Sequence, residues 1–228
     1  MSATIGLLTI GQAPRPDGLA RDVAAVAAGA KVIEKGALDG LGRAEIAEMR
    51  PGEDDYQLVT LLSDGTSVHI AKRFILRLLQ SQIEALEAAG AQVTLLMCTG
   101  TFPGFSHRRP LLAPQAALYG VVKGMAAGGR VASLAPLPSQ VEQSRRKWAE
   151  FGVEDAFVTS ADPYGADPVG AVAAGASQAR ETGAAVLFLD CFGYDLRMRD
   201  AARGAFDGPV VLARSMAARL AAEIAVAA

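Results

Sequence analysis

Two cysteines carry the chemistry that this sequence could perform. Cys98 ends the run AQVTLLMC, Cys191 ends the run AAVLFLDC, and a glycine stands two residues after each cysteine. Each apolar run is typical of a buried strand, so both thiols are expected at strand ends. A thiol has a pKa near about 8.5 that its surroundings easily lower, which makes it a candidate acid, base or nucleophile. A single cysteine is also often just a small buried residue, and that alternative stays open for each one alone.

Several patterns repeat between the two halves of the chain. The run VTLLMCTGTF resembles VLFLDCFGYD, and the earlier run LLTIGQAP resembles VASLAPLP. The first half is longer, and residues from about 38 to 70 account for the extra length as an insertion. Two such copies predict an N-terminal α/β lobe over residues 1–128 and a C-terminal α/β lobe over residues 129–228. A variant of this division has the chain cross back, with the tail helix packing on the first lobe.

Short apolar runs alternate with helical patterns along the whole chain. Strands that are apolar on both faces and separated by helices form parallel sheets that are covered on both sides. The stretch QLVTLLSDGTSVHIAK differs, because two strand-like runs flank Asp64-Gly65, which is the signal of a β-hairpin. The predicted fold class is therefore α/β, with two pseudo-symmetric parallel-sheet lobes and an extra β-hairpin in the first half.

Two similar lobes are expected to place Cys98 and Cys191 as pseudo-symmetric mates that face one cleft, because ligands of such sheets gather at the carboxyl ends of the strands. Inverting a stereocentre beside a carboxylate needs a base on one face of the carbon and an acid on the other, and a thiolate with a thiol supplies both. Backbone N–H groups in the turns after the cysteines are candidates to hold the substrate carboxylate. The candidate substrate contacts in these turns are Thr99, Gly100, Thr101, Phe192, Gly193 and Tyr194.

Three further candidates follow the first predicted strand. Gly11 and Gln12 lie at its end, and the Gln12 amide is a candidate hydrogen-bond partner for a carboxylate or an amide. Arg15 stands between two prolines, and an arginine on a stiff loop is a good carboxylate clamp. Each of these residues has an alternative as an ordinary loop or surface residue, and Tyr194 has one as a packing residue.

Three stretches of the chain resemble the AroM family, namely LLTIGQAPR, TLLSDG followed by HIAKR, and LDCFG. That family lies near the aspartate/glutamate/hydantoin racemase superfamily, so the resemblance implies two lobes of racemase type with one cysteine from each. Amino-acid racemases of the superfamily usually carry Cys-Asn-Thr at the first site and often Cys-Thr-His at the second. This chain departs from both motifs with Cys98-Thr99-Gly100 and Cys191-Phe192-Gly193.

The residues and the resemblance together predict a cofactor-independent racemase or isomerase that acts at a carbon adjacent to a carboxylate of a small substrate. Cys98 and Cys191 are its two catalytic groups, and neither a cofactor nor a metal is expected. Two alternatives stay open. One is a one-cysteine lyase or decarboxylase, because maleate isomerases and arylmalonate decarboxylases resemble the same scaffold and use thiols differently. The other is a non-catalytic protein that binds a small carboxylate.

Charge and composition argue against several classes of partner. The net charge of −2 and the scattered basic residues disfavour nucleic-acid binding. No run reaches the roughly 18 apolar residues of a spanning helix, so no membrane partner is expected. The N-terminus lacks a basic leader, which predicts a cytoplasmic protein with reduced thiols. The two cysteines and two histidines do not have zinc-site spacing, and the Ala-rich helices are compatible with a homodimer.

Overall fold

The computed structural model describes residues 3–27 and 29–225. Over these residues the chain forms ten strands and eight α-helices. The strands are β1 (Thr4–Thr9), β2 (Lys31–Gly36), β3 (Gln57–Leu61), β4 (Ser67–Ala71), β5 (Val93–Leu96), β6 (Leu111–Leu112), β7 (Val131–Ala135), β8 (Phe157–Ser160), β9 (Val186–Leu189) and β10 (Val210–Leu212). The helices are α1 (Leu19–Val26), α2 (Arg43–Ala47), α3 (Lys72–Ala88), α4 (Gln115–Ala126), α5 (Val141–Glu150), α6 (Pro168–Glu181), α7 (Leu196–Ala205) and α8 (Ala213–Ile224).

The chain divides into two compact units. The first unit runs as far as Pro114 and takes up the chain again from Ala217, while the second unit is Gln115–Met216. Helix α4 therefore belongs to the second unit, where it packs against β7 and β9. Helix α8 begins in the second unit and continues in the first.

Each unit contains one four-stranded parallel sheet. The order in the first unit is β2-β1-β5-β6, and the order in the second is β10-β9-β7-β8. When the second order is read in reverse, β7 corresponds to β1, β8 to β2, β9 to β5 and β10 to β6. The two units are thus copies of one topology, and the predicted α/β fold with two pseudo-symmetric parallel-sheet lobes is confirmed.

The central strands β1, β5, β7 and β9 are almost entirely buried, as expected for parallel strands inside a covered sheet. In β1, Ile5, Leu7 and Leu8 are all fully buried, although Leu8 faces the opposite side of the sheet from Ile5 and Leu7. Helix α3 contributes a single apolar face, and it packs on β1 and β2 through residues spaced three or four apart. Those residues are Ile75, Leu79, Ile83 and Leu86.

Two insertions distinguish the copies. The first unit carries the antiparallel hairpin β3–β4 between β2 and α3, as the sequence predicts. Gly65 in its turn has a φ of 86°, a conformation that costs glycine nothing and other residues a steric clash. The second unit instead carries helix α7 between β9 and β10, where the first unit has only a loop from residue 97 to residue 110. The segments after the two cysteines therefore differ.

No helix within the described residues combines the length and the hydropathy that a membrane crossing requires.

Candidate active site

Cys98 lies two residues beyond the end of β5, on a tight turn. Its sulfur accepts a hydrogen bond from the backbone N–H of Gly100 over 3.3 Å, and its own N–H donates to the Leu96 carbonyl over 2.9 Å. The thiol is half-buried against the core of the first unit. An N–H that points at sulfur is positioned to interact with negative charge if the thiol is deprotonated.

The hairpin and the start of α3 hold the turn after Cys98. The Thr101 N–H donates to the hydroxyl of Tyr56 over 3.1 Å, and the Lys72 ammonium donates to the Thr101 carbonyl over 2.9 Å. The same ammonium lies 4.1 Å from the centre of the Tyr56 ring, a cation–π contact. A β-carbon built on Gly100 would lie 3.2 Å from the Leu58 side chain, so the strand β3 packs directly on the turn.

Cys191 occupies the equivalent position two residues beyond the end of β9. Its sulfur accepts a hydrogen bond from the Gly193 N–H, again over 3.3 Å, and the thiol is again half-buried. A β-carbon built on Gly193 would lie 2.6 Å from the Tyr164 hydroxyl and 2.8 Å from Pro163. Glycine is therefore needed here because the loop after β8 packs tightly on the turn.

Asp190, immediately before Cys191, is the centre of a buried polar cluster. Its side chain is 1% exposed and forms a 3.0 Å ion pair with the Lys147 ammonium of α5. The same carboxylate oxygen accepts hydrogen bonds from the hydroxyls of Tyr119, over 2.6 Å, and Ser144, over 3.4 Å. The Tyr119 ring stacks on Trp148 with 3.9 Å between ring centres. The carboxylate therefore ties the end of β9 to helices α4 and α5.

Arg214 and Tyr194 fix the backbone of the Cys191 turn. Nε and Nη2 of the buried Arg214 both donate to the carbonyl of Phe192, over 3.0 Å and 2.8 Å. The Tyr194 hydroxyl shares its proton between the carbonyls of Ala161, at 2.6 Å, and Ala135, at 2.9 Å. These bonds link the turn to the ends of β7 and β8 and to the start of α8, so the Cys191 sulfur is held in a rigid frame.

Both buried tyrosines remain neutral hydrogen-bond donors. Burial raises the pKa of Tyr119 well above its ordinary value of 10.0, and the negative charge of Asp190 raises it further. Burial also raises the pKa of Tyr194 well above that value, with a smaller contribution from charge on Cys191. Neither phenol can therefore serve as a base at physiological pH, which leaves the thiols as the titratable groups of interest.

The three candidates after β1 are engaged inside the first unit. A β-carbon on Gly11 would collide with the Leu61 carbonyl and the Thr60 hydroxyl, because the hairpin packs directly against this glycine. Gln12 donates to the carbonyls of Leu38 and Leu41, over 3.2 and 3.1 Å. Its side-chain oxygen accepts from the backbone N–H and the hydroxyl of Ser63, each over 3.2 Å.

Arg15 is engaged in the same way. Its side chain is 2% exposed and pairs with Asp17, whose carboxylate accepts from Nη2 over 2.7 Å and from Nε over 3.3 Å. Its remaining nitrogen donates to the hydroxyls of Thr9 and Thr60 over 3.4 and 3.3 Å. Arg15 thus links the hairpin to the end of β1.

The remaining predicted substrate contacts divide into buried side chains and hydrogen-bond donors without a partner in the described part of the chain. Thr99, Phe192 and Tyr194 are buried, at 5%, 3% and 0% exposure, and Tyr194 belongs to the core of the second unit. The Thr101 hydroxyl is buried and has no hydrogen-bond partner among the described residues. Within those residues the N–H of Phe192 is likewise unbonded. These two groups are the donors near the thiols that a ligand could satisfy.

The residues that support the turns are not among the candidates that the sequence patterns identify. Asp190 inside the run VLFLDC was a signal, because a carboxylate within a buried strand end requires a buried partner. Its partners Lys147 and Tyr119 lie 43 and 71 residues away, and no local pattern identifies them. Lys72, Tyr56 and Arg214 carry no sequence signal that distinguishes them from surface or core residues.

No group of three or more histidine, cysteine, aspartate or glutamate side chains in the described part of the chain could hold a metal ion. Both cysteines lie in that part, and neither belongs to a disulfide.

Solved structures with a similar fold include several racemases. The aspartate racemase of Picrophilus torridus matches 98% of this chain and 94% of its own, with a TM-score of 0.63 at 12% identity. The allantoin racemase of Klebsiella pneumoniae matches 97% of this chain and 87% of its own, with a TM-score of 0.61 at 14% identity. An arylmalonate decarboxylase matches 99% and 93%, with a TM-score of 0.58 at 18% identity. The chain therefore has the racemase fold.

No curated protein is significantly similar to the chain in sequence. The family model described as AroM protein matches residues 5–225, which is nearly the whole chain. The resemblance in the stretches around Gly11, Asp64 and Cys191 is thereby confirmed, and the chain belongs to the AroM family.

Proposed function

We propose that this protein is a cofactor-independent racemase or isomerase that acts at a carbon adjacent to a carboxylate of a small substrate. One observation carries the proposal. Cys98 and Cys191 occupy the same position in two copies of one sheet topology, and each sulfur accepts a backbone N–H bond of 3.3 Å from the residue two positions on. If both cysteines were present only for packing, there would be no reason for the same N–H to sulfur turn to occur at both of them.

In the proposed reaction, one cysteine is a thiolate and removes the proton from the substrate carbon. The electron pair of the broken C–H bond delocalises into the adjacent carboxylate, and the other cysteine returns a proton to the opposite face of that carbon. The first cysteine ends as a thiol and the second as a thiolate, so the reverse reaction exchanges their roles. The N–H groups of Gly100 and Gly193 stabilise whichever sulfur is charged.

The substrate carboxylate needs hydrogen-bond donors. The N–H of Phe192 and the hydroxyl of Thr101 are the candidates, because within the described residues both lack a partner. Gln12 and Arg15, by contrast, are proposed to position the loop after β1, since their side chains are already bonded inside the unit. Aspartate racemase and allantoin racemase, named among the structures with this fold, support a racemase-type reaction without identifying the substrate.

Exchange of substrate hydrogen with solvent deuterium tests the proposal. Each enantiomer of aspartate, malate and 2-phenylpropionate is incubated in D₂O with wild type, Cys98→Ser and Cys191→Ser, and loss of the proton beside the carboxylate is followed by NMR. Wild type is expected to catalyse exchange into at least one acid, and each substitution is expected to slow inversion by about 10²-fold or more. Wild-type activity that survives both substitutions would contradict the proposal, and tight binding without exchange would favour a carboxylate-binding protein.

A one-cysteine decarboxylase is the second candidate, and the asymmetry of the two turns favours it. Only the Cys191 turn leads into a helix, α7, whose N-cap Asp195 bonds the Met198 N–H over 3.0 Å. Only this turn is also held by a buried arginine. This candidate predicts that phenylmalonate releases CO₂ with wild type and with Cys98→Ser but not with Cys191→Ser. Equal loss in both variants counts against it.

A further inference from the structure

An open groove lies on the hairpin insertion of the first unit, on the side of α2 and β4. It encloses about 650 Å³, which is within the range of about 300–1,000 Å³ of small-molecule sites. Its apolar lining includes Ile46 of α2 and Leu62 and Val68 of the hairpin. The second unit has no counterpart of this hairpin in its sheet order, so the groove belongs to the insertion rather than to the shared topology.

The polar lining of the groove is basic. Arg43, Arg50 and His69 contribute to it, and no carboxylate does among the described residues. Arg43 is already paired, since its guanidinium binds Asp64 and lies 3.2 Å from the Thr66 hydroxyl. Arg50 is exposed and forms no ion pair with any residue that the structure describes. The groove therefore presents one uncompensated guanidinium beside an apolar floor.

We propose that this groove binds a small organic monocarboxylate with an apolar body. The carboxylate lies on the Arg50 guanidinium, whose planar fork matches the two oxygens. The apolar body lies on Ile46, Leu62 and Val68. A monoanion is favoured over a polyanion because Asp64 already neutralises the second arginine, Arg43.

The groove is connected to the Cys98 turn through one strand. Gln57 lines the groove, and its amide lies 3.3 Å from the His69 ring across the hairpin. Its chain neighbours are the two residues that touch the turn, since Tyr56 accepts the Thr101 N–H and Leu58 packs on Gly100. A ligand bound against Gln57 therefore contacts the strand whose neighbouring residues support the first thiol. The groove is a regulatory site for Cys98, separate from the proposed chemistry.

Titration of the ¹⁵N-labelled full chain with 3-phenylpropionate tests the proposal. Its neutral isostere 3-phenylpropanamide controls for charge, and Arg50→Gln is compared with Arg77→Gln, an exposed arginine of α3 outside the groove. The acid is expected to shift the amide resonances of Val68, His69, Gly100 and Thr101. Arg50→Gln is expected to weaken binding about tenfold or more, because it removes a charged hydrogen bond, while Arg77→Gln leaves binding within about twofold.

Three results would overturn the proposal: equal affinity of the acid for both variants, equal affinity for the acid and the amide, or shifts confined to the cysteine turns. Cys98→Ser combined with Cys191→Ser is expected to keep the shifts at Val68 and His69, which separates this groove from any carboxylate site at the thiols. The rate of Cys98 alkylation by iodoacetamide is expected to change with 3-phenylpropionate while that of Cys191 does not. Failure of the deuterium-exchange test leaves these binding results unaffected.

Discussion

The turns at Cys98 and Cys191 have the same geometry at sulfur and different supports behind it. In the first unit the residue before the cysteine is Met97, 2% exposed and apolar, and the turn is held from outside by the hairpin and Lys72. In the second unit that residue is Asp190, and the turn is held from behind by a buried ion pair and Arg214.

This difference shows which features the thiol geometry requires. The common features are a parallel strand end, a glycine two residues after the cysteine and the N–H bond to sulfur. Met97 in the first unit and the Asp190–Lys147 ion pair in the second stand at the same position behind the turn. We expect the free energy of unfolding to depend more on the single side chain of Asp190 than on that of Met97. The following predictions test that difference.

The largest expected effect is at the buried ion pair. Asp190→Asn leaves the Lys147 ammonium buried without its countercharge, which is expected to lower the free energy of unfolding by about 3–5 kcal/mol. Urea denaturation at pH 7 measures the change, with the exposed Asp200→Asn as a control expected to cost at most about 1 kcal/mol. Asp190→Leu with Lys147→Met, which imitates the apolar first unit, is expected to recover at least half of the loss. No recovery would mean that the ion pair is not interchangeable with apolar packing.

The two turn glycines are expected to differ in their tolerance of a methyl group. Gly193→Ala places a β-carbon 2.6 Å from Tyr164 and 2.8 Å from Pro163, whereas the nearest atoms at Gly100 are at 3.2 Å. Overpacking in the second unit is expected to cost about 1–3 kcal/mol, and Gly100→Ala less than about 1 kcal/mol. Thermal or urea unfolding of the two variants, measured side by side, compares the loss of unfolding free energy at the two glycines. Equal costs would show that the two turns are supported equally tightly.

Removing one hydroxyl tests the hairpin's hold on the Cys98 turn. Tyr56→Phe deletes the acceptor of the Thr101 N–H and is expected to cost about 1 kcal/mol. It is also expected to change the alkylation rate of Cys98 by iodoacetamide, measured by mass spectrometry, while Cys191 in the same molecule serves as the internal control. A change at both cysteines, or at neither, would contradict a local role for the hairpin.

The smallest expected effect is at the exposed pair Asp55–Arg73, which links the start of β3 to α3. Hydrogen bonds from Arg73 and from the Gly52 N–H lower the pKa of Asp55 below its ordinary value of 3.8. A lowered folded-state pKa stabilises the protein above the unfolded value, and this contribution is lost as the pH falls through the folded value. Asp55→Asn is therefore expected to be slightly less stable than wild type at pH 7. The difference should shrink as the pH falls below 3.8 and disappear below the folded-state pKa, and it should also shrink in high salt, as urea titrations at several pH values can show.

Much of the fold follows from local patterns. Apolar runs such as residues 91–98 and 184–191 predict buried strands, and Asp64-Gly65 predicts the hairpin that the structure contains. These predictions succeed because burial on one or both faces of an element leaves a period in the sequence itself. The equivalent positions of the two cysteines follow from the same periodicity, since both come two residues after an apolar strand.

The partners of polar side chains could not be predicted in this way. The structure bonds Arg15 to Asp17 and Gln12 to the carbonyls of distant loops, partners that no local pattern identifies. Asp190 pairs with Lys147 on α5 and Tyr119 on α4, which lie 43 and 71 residues away in the chain. The separation of these partners along the chain follows no helix or strand periodicity, because the partners meet only when the helices and the hairpin pack on the sheet.

The sequence by itself therefore determined the α/β class, the duplication, the hairpin and the strand-end thiols. Only the tertiary structure decided how each thiol turn is held, which loop residues are already satisfied, and that a basic groove forms beside the hairpin. The physical reason is that strand and turn preferences act between near neighbours. Hydrogen bonds and ion pairs of buried polar groups join residues that are far apart in the chain, and their geometry exists only in the packed fold.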